Sequence, residues 1–317
     1  MRRRKRTGRI VILFIFCIVL FPILYGILWQ RIYQTAMQMQ STPRIATTPV
    51  QVQVQSTMVS IPDQLSLKKP LEEVLDGSTD SYAVVVKELQ TNKSYAADEH
   101  HKFTAASLYK LWVMAVVYEQ LEQGKLTESD VLKKDVVDLH KTFNIATESA
   151  EKKSGTVTLS VANALSRMIM LSDNYAAWLL TDKVGLKAIN VWLKEHGFAD
   201  SSFGSEKTLP STTASDVSLF FEKLADGELG SQESTDAMLD LLTRQQLNGK
   251  IPKYLPSSVD IAHKTGELGK YSHDAGIIYA PQGDYILVVL SESASRIGAD
   301  ARIGRISEAV YEYFEDQ

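Results

Sequence analysis

The residues of this sequence that could do chemistry fall into short groups, the first of them a serine with a lysine three positions on. That spacing occurs at Ser66 and Lys69, at Ser107 and Lys110, and at Ser149 and Lys152. The first pair stands against Pro70 in a polar stretch and the third in the hydrophilic run 148–154, so both read as solvated surface. Only the second has an apolar setting, Phe103-Thr104-Ala105-Ala106-Ser107-Leu108-Tyr109-Lys110-Leu111-Trp112. Residues three apart share one face of a helix, which puts the Lys110 amine within reach of the Ser107 hydroxyl. A serine at a helix N-terminus also sits among unpaired N–H groups and a positive partial charge, a setting that stabilises an oxyanion. The plainer alternative is a helix cap followed by an ordinary helix residue, but an exposed lysine is out of place among Leu108, Leu111, Trp112 and Val113.

Two further groups come later in the chain. Ser172-Asp173-Asn174 is a polar break between the apolar runs Met168-Ile169-Met170-Leu171 and Tyr175-Ala176-Ala177-Trp178. Its simplest explanation is a helix boundary, since all three residue types favour caps. Lys264-Thr265-Gly266 ends an apolar, strand-like run. A lysine and threonine there are ordinary protection of a sheet edge against aggregation.

Taken together, Ser-x-x-Lys, Ser-Asp-Asn and Lys-Thr-Gly in this order resemble the motif set of class A β-lactamases and penicillin-binding proteins. The likeness runs over roughly residues 75–317. It includes 103–110 around the serine, 174–180 after Asn174, 246–256 before Lys264, and His273-Asp274-Ala275-Gly276-Ile277 after it. The resemblance implies a serine acyl-enzyme hydrolase that attacks β-lactam amides through Ser107. Lys110, its charge disfavoured by burial and neighbouring cations, would help deprotonate Ser107. Ser172 would relay a proton toward the leaving nitrogen, and Asn174 would hydrogen-bond the substrate amide. Lys264 and Thr265 would hold the substrate carboxylate, and Gly266 would let substrate lie close to its strand. The oxyanion would sit between the backbone N–H groups of Ser107 and Glu267.

Class A β-lactamases carry a deacylating glutamate on a loop between the second and third motifs, in a pattern like E-x-x-L-N. Here Glu206-Lys207-Thr208-Leu209 fits the first four positions, but Pro210 stands where the asparagine belongs. Ser211-Thr212-Thr213, which resembles the family's segment just after that loop, arrives early, so the loop reads as shortened. Glu206 then either positions a hydrolytic water or is a surface glutamate on a short turn. Without a working glutamate the acyl-enzyme persists, and the protein behaves as a D,D-peptidase-like penicillin-binding protein acting on cell-wall D-alanyl peptides. A third possibility is a non-catalytic domain that binds or senses cell wall. Retention of Ser107, Lys110, Ser172, Asn174 and Lys264 argues against it, because a pure binder needs no proton-transfer set. No Ser-His-Asp arrangement is evident: His100, His101, His140, His196, His263 and His273 read as surface or structural, and no H-E-x-x-H metal motif is present. Neither a metal nor an organic cofactor is implied.

The elements that must position these groups follow from hydrophobic periodicity. Strands are expected near 82–89, 260–265, 275–280 and 285–291, with Pro281-Gln282-Gly283 turning the last hairpin. Helices are expected over 107–122, 159–171, 175–184, 186–196 and 294–314. Strands at both ends around a helical middle indicate an α+β fold of the β-lactamase/transpeptidase-like kind. One antiparallel sheet would be assembled from N- and C-terminal segments and flanked by helices, beside an all-helical lobe, with a substrate cleft between.

The chain has 317 residues, 44% of them hydrophobic, enough for a substantial core. Its formal net charge of −4 gives no overall basic surface for nucleic acid. Positive charge gathers instead at Arg2, Arg3, Arg4, Lys5, Arg6 and Arg9, directly before an uncharged stretch at 10–29. That stretch is long enough to span a bilayer. The positive-inside rule places the N-terminus in the cytoplasm and the rest outside, as a single-pass protein of the cell membrane; a cleaved signal peptide is the rival reading. The expected organisation is a basic tail at 1–9, a membrane anchor at 10–29, a Gln/Thr/Ser/Pro-rich flexible linker at 30–69 and the catalytic domain at 70–317. The single cysteine, Cys17, lies in the span, so the exported part has no disulfide.

Overall fold

The computed structural model describes residues 65–316, apart from 149, 206 and 207. The chain divides into two units, Met1–Val59 and Ser60–Gln317, and every described residue belongs to the second. The expected membrane span at 10–29 lies outside the described residues, and among those described no helix is long and apolar enough to cross a membrane.

Helix α1 (Lys68–Leu75) leads into strands β1 (Ser81–Glu88) and β2 (Ser94–Ala97). Leu65 and Leu67 are buried and Leu65 N–H bonds to Ser94 O, so packed structure begins ahead of the expected boundary at Pro70. Strands β7 (Asp260–Leu268), β8 (Tyr271–Tyr279) and β9 (Tyr285–Glu292) come from the far end of the sequence. Together these form one antiparallel sheet in the order β2-β1-β9-β8-β7. The pairing of β1 with β9, Ser81 opposite Glu292 through Glu88 opposite Tyr285, is the N-to-C-terminal assembly expected from the sequence.

Side chains alternate across the sheet with period two. Tyr82, Val84 and Val86 of β1, with Tyr285, Leu287 and Val289 of β9, point into a core shared with Leu71 of α1 and with Ile303, Ile306 and Val310 of the last helix, α9 (Arg296–Glu315). Ala83, Val85, Ile286, Val288 and Leu290 point the opposite way, into a larger core shared with the helical middle.

That middle is organised around α2 (Tyr109–Glu122), in which every residue from Lys110 to Tyr118 is buried. A helix apolar on all sides must be enclosed, and α4 (Val161–Met170), α5 (Asn174–Val184), α6 (Leu186–Glu195) and α8 (Gln232–Thr243) enclose it. Helix α7 (Ala214–Ala225) packs on the sheet. A two-stranded ribbon of β4 (Val131–Asp135) and β5 (Thr156–Ser160), flanking the short α3 (Val136–Thr142), was not expected. It takes the first residues of the helix expected at 159–171, because Ser160 is an extended N-cap accepting from Asn163 N–H. A second ribbon pairs the two-residue strands β3 (Phe103–Thr104) and β6 (Ser211–Thr212).

Candidate active site

Ser107 does not open an α-helix as expected. It sits in a 3₁₀ turn, Ala106–Leu108, that feeds into α2. Ala106 enters this turn with φ +45°, a left-handed backbone that costs a non-glycine residue about 1–2 kcal/mol. The surroundings hold it there. Ala105 N–H bonds to Pro210 O at 2.8 Å, and the buried His273 donates from Nε2 to Thr104 O at 2.8 Å. His273 Nδ1 accepts from Ser291 N–H at 3.1 Å, which fixes the neutral tautomer, and burial pushes the ring's pKa down to about 4.

Gly266 presses on the same turn. A side-chain carbon there would meet Leu108 Cγ at 3.2 Å, Ala105 O at 3.3 Å and His273 Cδ2 at 3.3 Å. Gly266 is expected to make room for substrate; its missing side chain also makes room for the serine's own turn. This close approach brings Ser107 and Glu267 to one rim of a cleft of about 660 Å³.

Behind that rim the three motifs converge on one hydroxyl. Lys110, fully buried, donates from Nζ to Ser172 O at 2.6 Å, to Asn174 Oδ1 at 2.9 Å and to Ser172 Oγ at 3.1 Å. Lys264, also fully buried, donates to Ser172 Oγ at 3.0 Å and to Thr265 O at 2.8 Å. Burial lowers the Lys110 pKa to about 7, against a small opposing pull from Asp173. Burial also holds Lys264 well below the usual lysine range, and the neighbouring Lys110 charge adds to this. The helical spacing of Ser107 and Lys110 was expected to turn the amine toward the serine; its three bonds go instead to the second motif.

Ser172 has φ +56°, the left-handed backbone that lets its carbonyl and hydroxyl both face Lys110. Asp173 between the two site residues is structural. Its carboxylate caps α5 through Ala176 N–H at 3.0 Å and pairs with Arg167 at 2.6 Å. Burial alone would raise its pKa, but these bonds hold it below the usual carboxylate range. Lys264 lies on β7, an edge strand, yet is enclosed rather than displayed to solvent, so it does not serve as edge protection. Thr265 is buried beside it.

The cleft is lined by the aromatic and apolar Tyr109, Phe143, Trp178, Leu186 and Phe203 as well as by Asn174 and Glu267. Glu206 lies outside the described residues. Among its described neighbours, Ser202 pairs with Ser211 and Ser205 with Thr208 through backbone bonds. Two residues the motifs did not reveal complete the site. Lys250, almost fully buried, bonds to Glu267 Oε1 at 2.6 Å, and Arg296 reaches Glu267 Oε2 at 3.1 Å. Neither belongs to a motif, and no local spacing links them to Glu267. The other two Ser-x-x-Lys copies stay apart: Lys69 is exposed beside Glu73, and Ser149 lies outside the described residues. Of the histidines, His100 and His101 are exposed and His140 bonds to Tyr175 Oη at 3.0 Å. His263 bonds to Asp274 at 2.9 Å within the sheet. Among the described residues no group of His, Cys, Asp and Glu is arranged to hold a metal ion.

The sheet-and-helix architecture and the convergence of the three motifs define a protein of the class A β-lactamase and penicillin-binding-protein kind. Residues 66–314 match the model of the Beta-lactamase enzyme family, and the chain belongs to that family. It is 24% identical over 275 residues to the extended-spectrum β-lactamase PER-1 of Pseudomonas aeruginosa, across 78% of this chain and 87% of that one. Its fold is similar to that of PBP-A, with a TM-score of 0.71 at 24% identity over 81% of this chain and 99% of that one. It is similar also to a β-lactamase from Sphaerobacter thermophilus DSM 20745, with a TM-score of 0.69 at 24% identity over 78% and 97%.

Proposed function

We propose that this protein is a serine acyl-enzyme hydrolase that opens β-lactam amides through Ser107 and releases the product slowly. One observation carries the reading: Ser172 Oγ is shared between two buried, charge-disfavoured lysines beside the cleft that Ser107 lines. As an ammonium, Lys110 uses all three protons on its three partners. On losing one it keeps a lone pair among them, and with a pKa of about 7 the neutral amine is abundant at neutral pH. Ser107 Oγ attacks the carbonyl carbon and its proton passes to this amine–hydroxyl pair. The backbone N–H groups of Ser107 and Glu267 receive the oxyanion. Ser172 then protonates the departing nitrogen and is resupplied by the adjoining amines. Lys264 and Thr265 take the carboxylate that β-lactams and D-alanyl peptides share, and Asn174 takes the acyl-side amide.

Slow deacylation is supported by the early arrival of Ser211-Thr212-Thr213, by the pairing of Ser202 with Ser211 and of Ser205 with Thr208, and by the carboxylates at the cleft. Burial would raise the Glu267 pKa, but its bonds to Lys250 and Arg296 hold it below the usual carboxylate range, which weakens it as a base toward water, while Glu151 is an exposed residue lining the cleft. A D,D-peptidase-like role toward cell-wall peptides is the second reading, favoured by the same segment. PBP-A, similar in fold, has been seen in a mutant form as an acyl-enzyme complex with penicillin G. The basic N-terminus and the uncharged stretch at 10–29 support placement on the outer face of the cytoplasmic membrane.

The test is intact-mass spectrometry of the protein mixed with excess benzylpenicillin, followed over time beside Ser107→Ala. An adduct that forms on the wild type alone and persists for hours is expected. An adduct that clears within seconds while penicilloate accumulates would reject slow release and direct attention to Glu206→Gln.

A further inference from the structure

We infer that Glu267 is a specificity-determining residue whose carboxylate occupies the cationic subsite beside Ser107 and competes with the carboxylate of an incoming substrate. The inference rests on the acyl-enzyme reading above. Glu267 follows Lys264-Thr265-Gly266 directly and lines the cleft, with 39% of its side chain exposed. Its two oxygens are both engaged, one by Lys250 at 2.6 Å and the other by Arg296 at 3.1 Å.

The Lys250 side chain is only 3% exposed, and a second acid near it, Asp300, stands further off at 3.7 Å and accepts from Ser272 as well. Lys250 and Lys264 are close enough for the charge of the first to depress the second. A patch holding Lys250, Lys264 and Arg296 around one carboxylate is built for an anion, and the anion present is the protein's own.

The chemistry sets the consequence. A β-lactam or acyl-D-alanine carboxylate entering against Lys264 meets a like charge on Glu267, and a second cation, Lys250, already neutralised. The substrate must either share Lys264 alone or displace Glu267 from Lys250. A ligand whose carboxylate is esterified meets neither penalty. Glu267 therefore restrains acylation by anionic substrates specifically, without touching the bond that is broken. Release of Lys250 frees one charge-assisted hydrogen bond for an incoming carboxylate, and capture is expected to improve about tenfold, ~1.4 kcal/mol.

The experiment compares wild type with Glu267→Gln, which keeps the backbone N–H and the side-chain shape, using benzylpenicillin and its methyl ester as probes. Acylation efficiency, read by intact mass, is expected to rise about tenfold for the acid and to change less than about twofold for the ester. Lys250→Met in the Glu267→Gln background removes the cation, and the gain is expected to vanish. An unchanged or lower rate with the acid, or an equal rise with both probes, overturns the inference. A non-covalent arm keeps the two readings separable. Calorimetric titration of benzylpenicillin into Ser107→Ala and Ser107→Ala/Glu267→Gln should show a Kd about tenfold lower in the double variant. If neither probe acylates the wild type, the acyl-enzyme reading falls, while an unchanged Kd in this arm is what sinks the role of Glu267.

Discussion

Lys110 and Lys264 lie on different elements, yet both bond to Ser172 Oγ, at 3.1 and 3.0 Å. Two ammonium groups so close, both buried, cannot both hold their charge cheaply, and the pair is poised to give up a proton. Because burial sets the Lys110 pKa to about 7, the base form grows as pH rises through that value. The acylation rate is therefore expected to climb about tenfold per pH unit below about pH 6 and to level off above about pH 8, as for a single titrating base. Stopped-flow acylation at several pH values checks this, and a rate flat from about pH 5 to about pH 9 would remove Lys110 from the base role. Lys110→Arg keeps a cation that cannot deprotonate in a protein. It is expected to acylate at least about a hundredfold more slowly than wild type at about pH 7.5, measured with the same probe.

At the scale of elements, the site is a meeting of one turn, one helix start and one strand. The turn 105–108 is held by β7 through Gly266, by Pro210 just ahead of β6, and by β8 through His273. Gly266→Ala would force its new carbon against the Ala105 carbonyl, which cannot swing aside like the end of a side chain. A loss of about 1–2 kcal/mol of stability is expected, with slower acylation because Ser107 shifts relative to Glu267. Urea unfolding and acylation kinetics of the variant check both, and wild-type values in both would show that the turn has slack. These elements also mark what the sequence could and could not reveal. β7, β8 and β9 were legible because their apolar residues run long and are bounded by turn residues; α5 and α6 were legible from their helical periodicity. The β4–β5 ribbon was not, since Val131-Leu132-Lys133-Lys134-Asp135 is mostly solvated. Its two strands are also separated by α3 and a loop, so no tight turn announces the pairing of Asp135 with Thr156. The 3₁₀ turn at Ser107 was hidden because alanine carries no signal for a left-handed backbone, and the tie from Lys250 to Glu267 depends on the tertiary placement of two separate segments. Ser107, Lys110, Ser172, Asn174 and Lys264 were legible because three motifs in order carry them. The fold brings Lys110, Ser172, Asn174 and Lys264 into one hydrogen-bond network.

At the scale of the described domain, the five-stranded sheet separates two cores, and His273 sits where that sheet meets the serine's turn. Its pKa of about 4 lies below the ordinary 6.5, so between those values the unfolded chain binds more protons than the folded one. Its contribution is therefore complete above about pH 6.5 and is lost as pH falls toward 4, by about 3 kcal/mol. Urea unfolding of wild type and His273→Gln at about pH 7 and about pH 4.5 isolates this group from the carboxylates. The wild type is expected to lose the more stability, and parallel losses would contradict the assignment. The central claim is that Ser107 is acylated. Its most direct measurement is peptide mapping of the benzylpenicillin-treated protein by mass spectrometry. The account predicts a penicilloyl group on the peptide containing Ser107, and none in Ser107→Ala. An adduct on any other residue, or none at all, would contradict it.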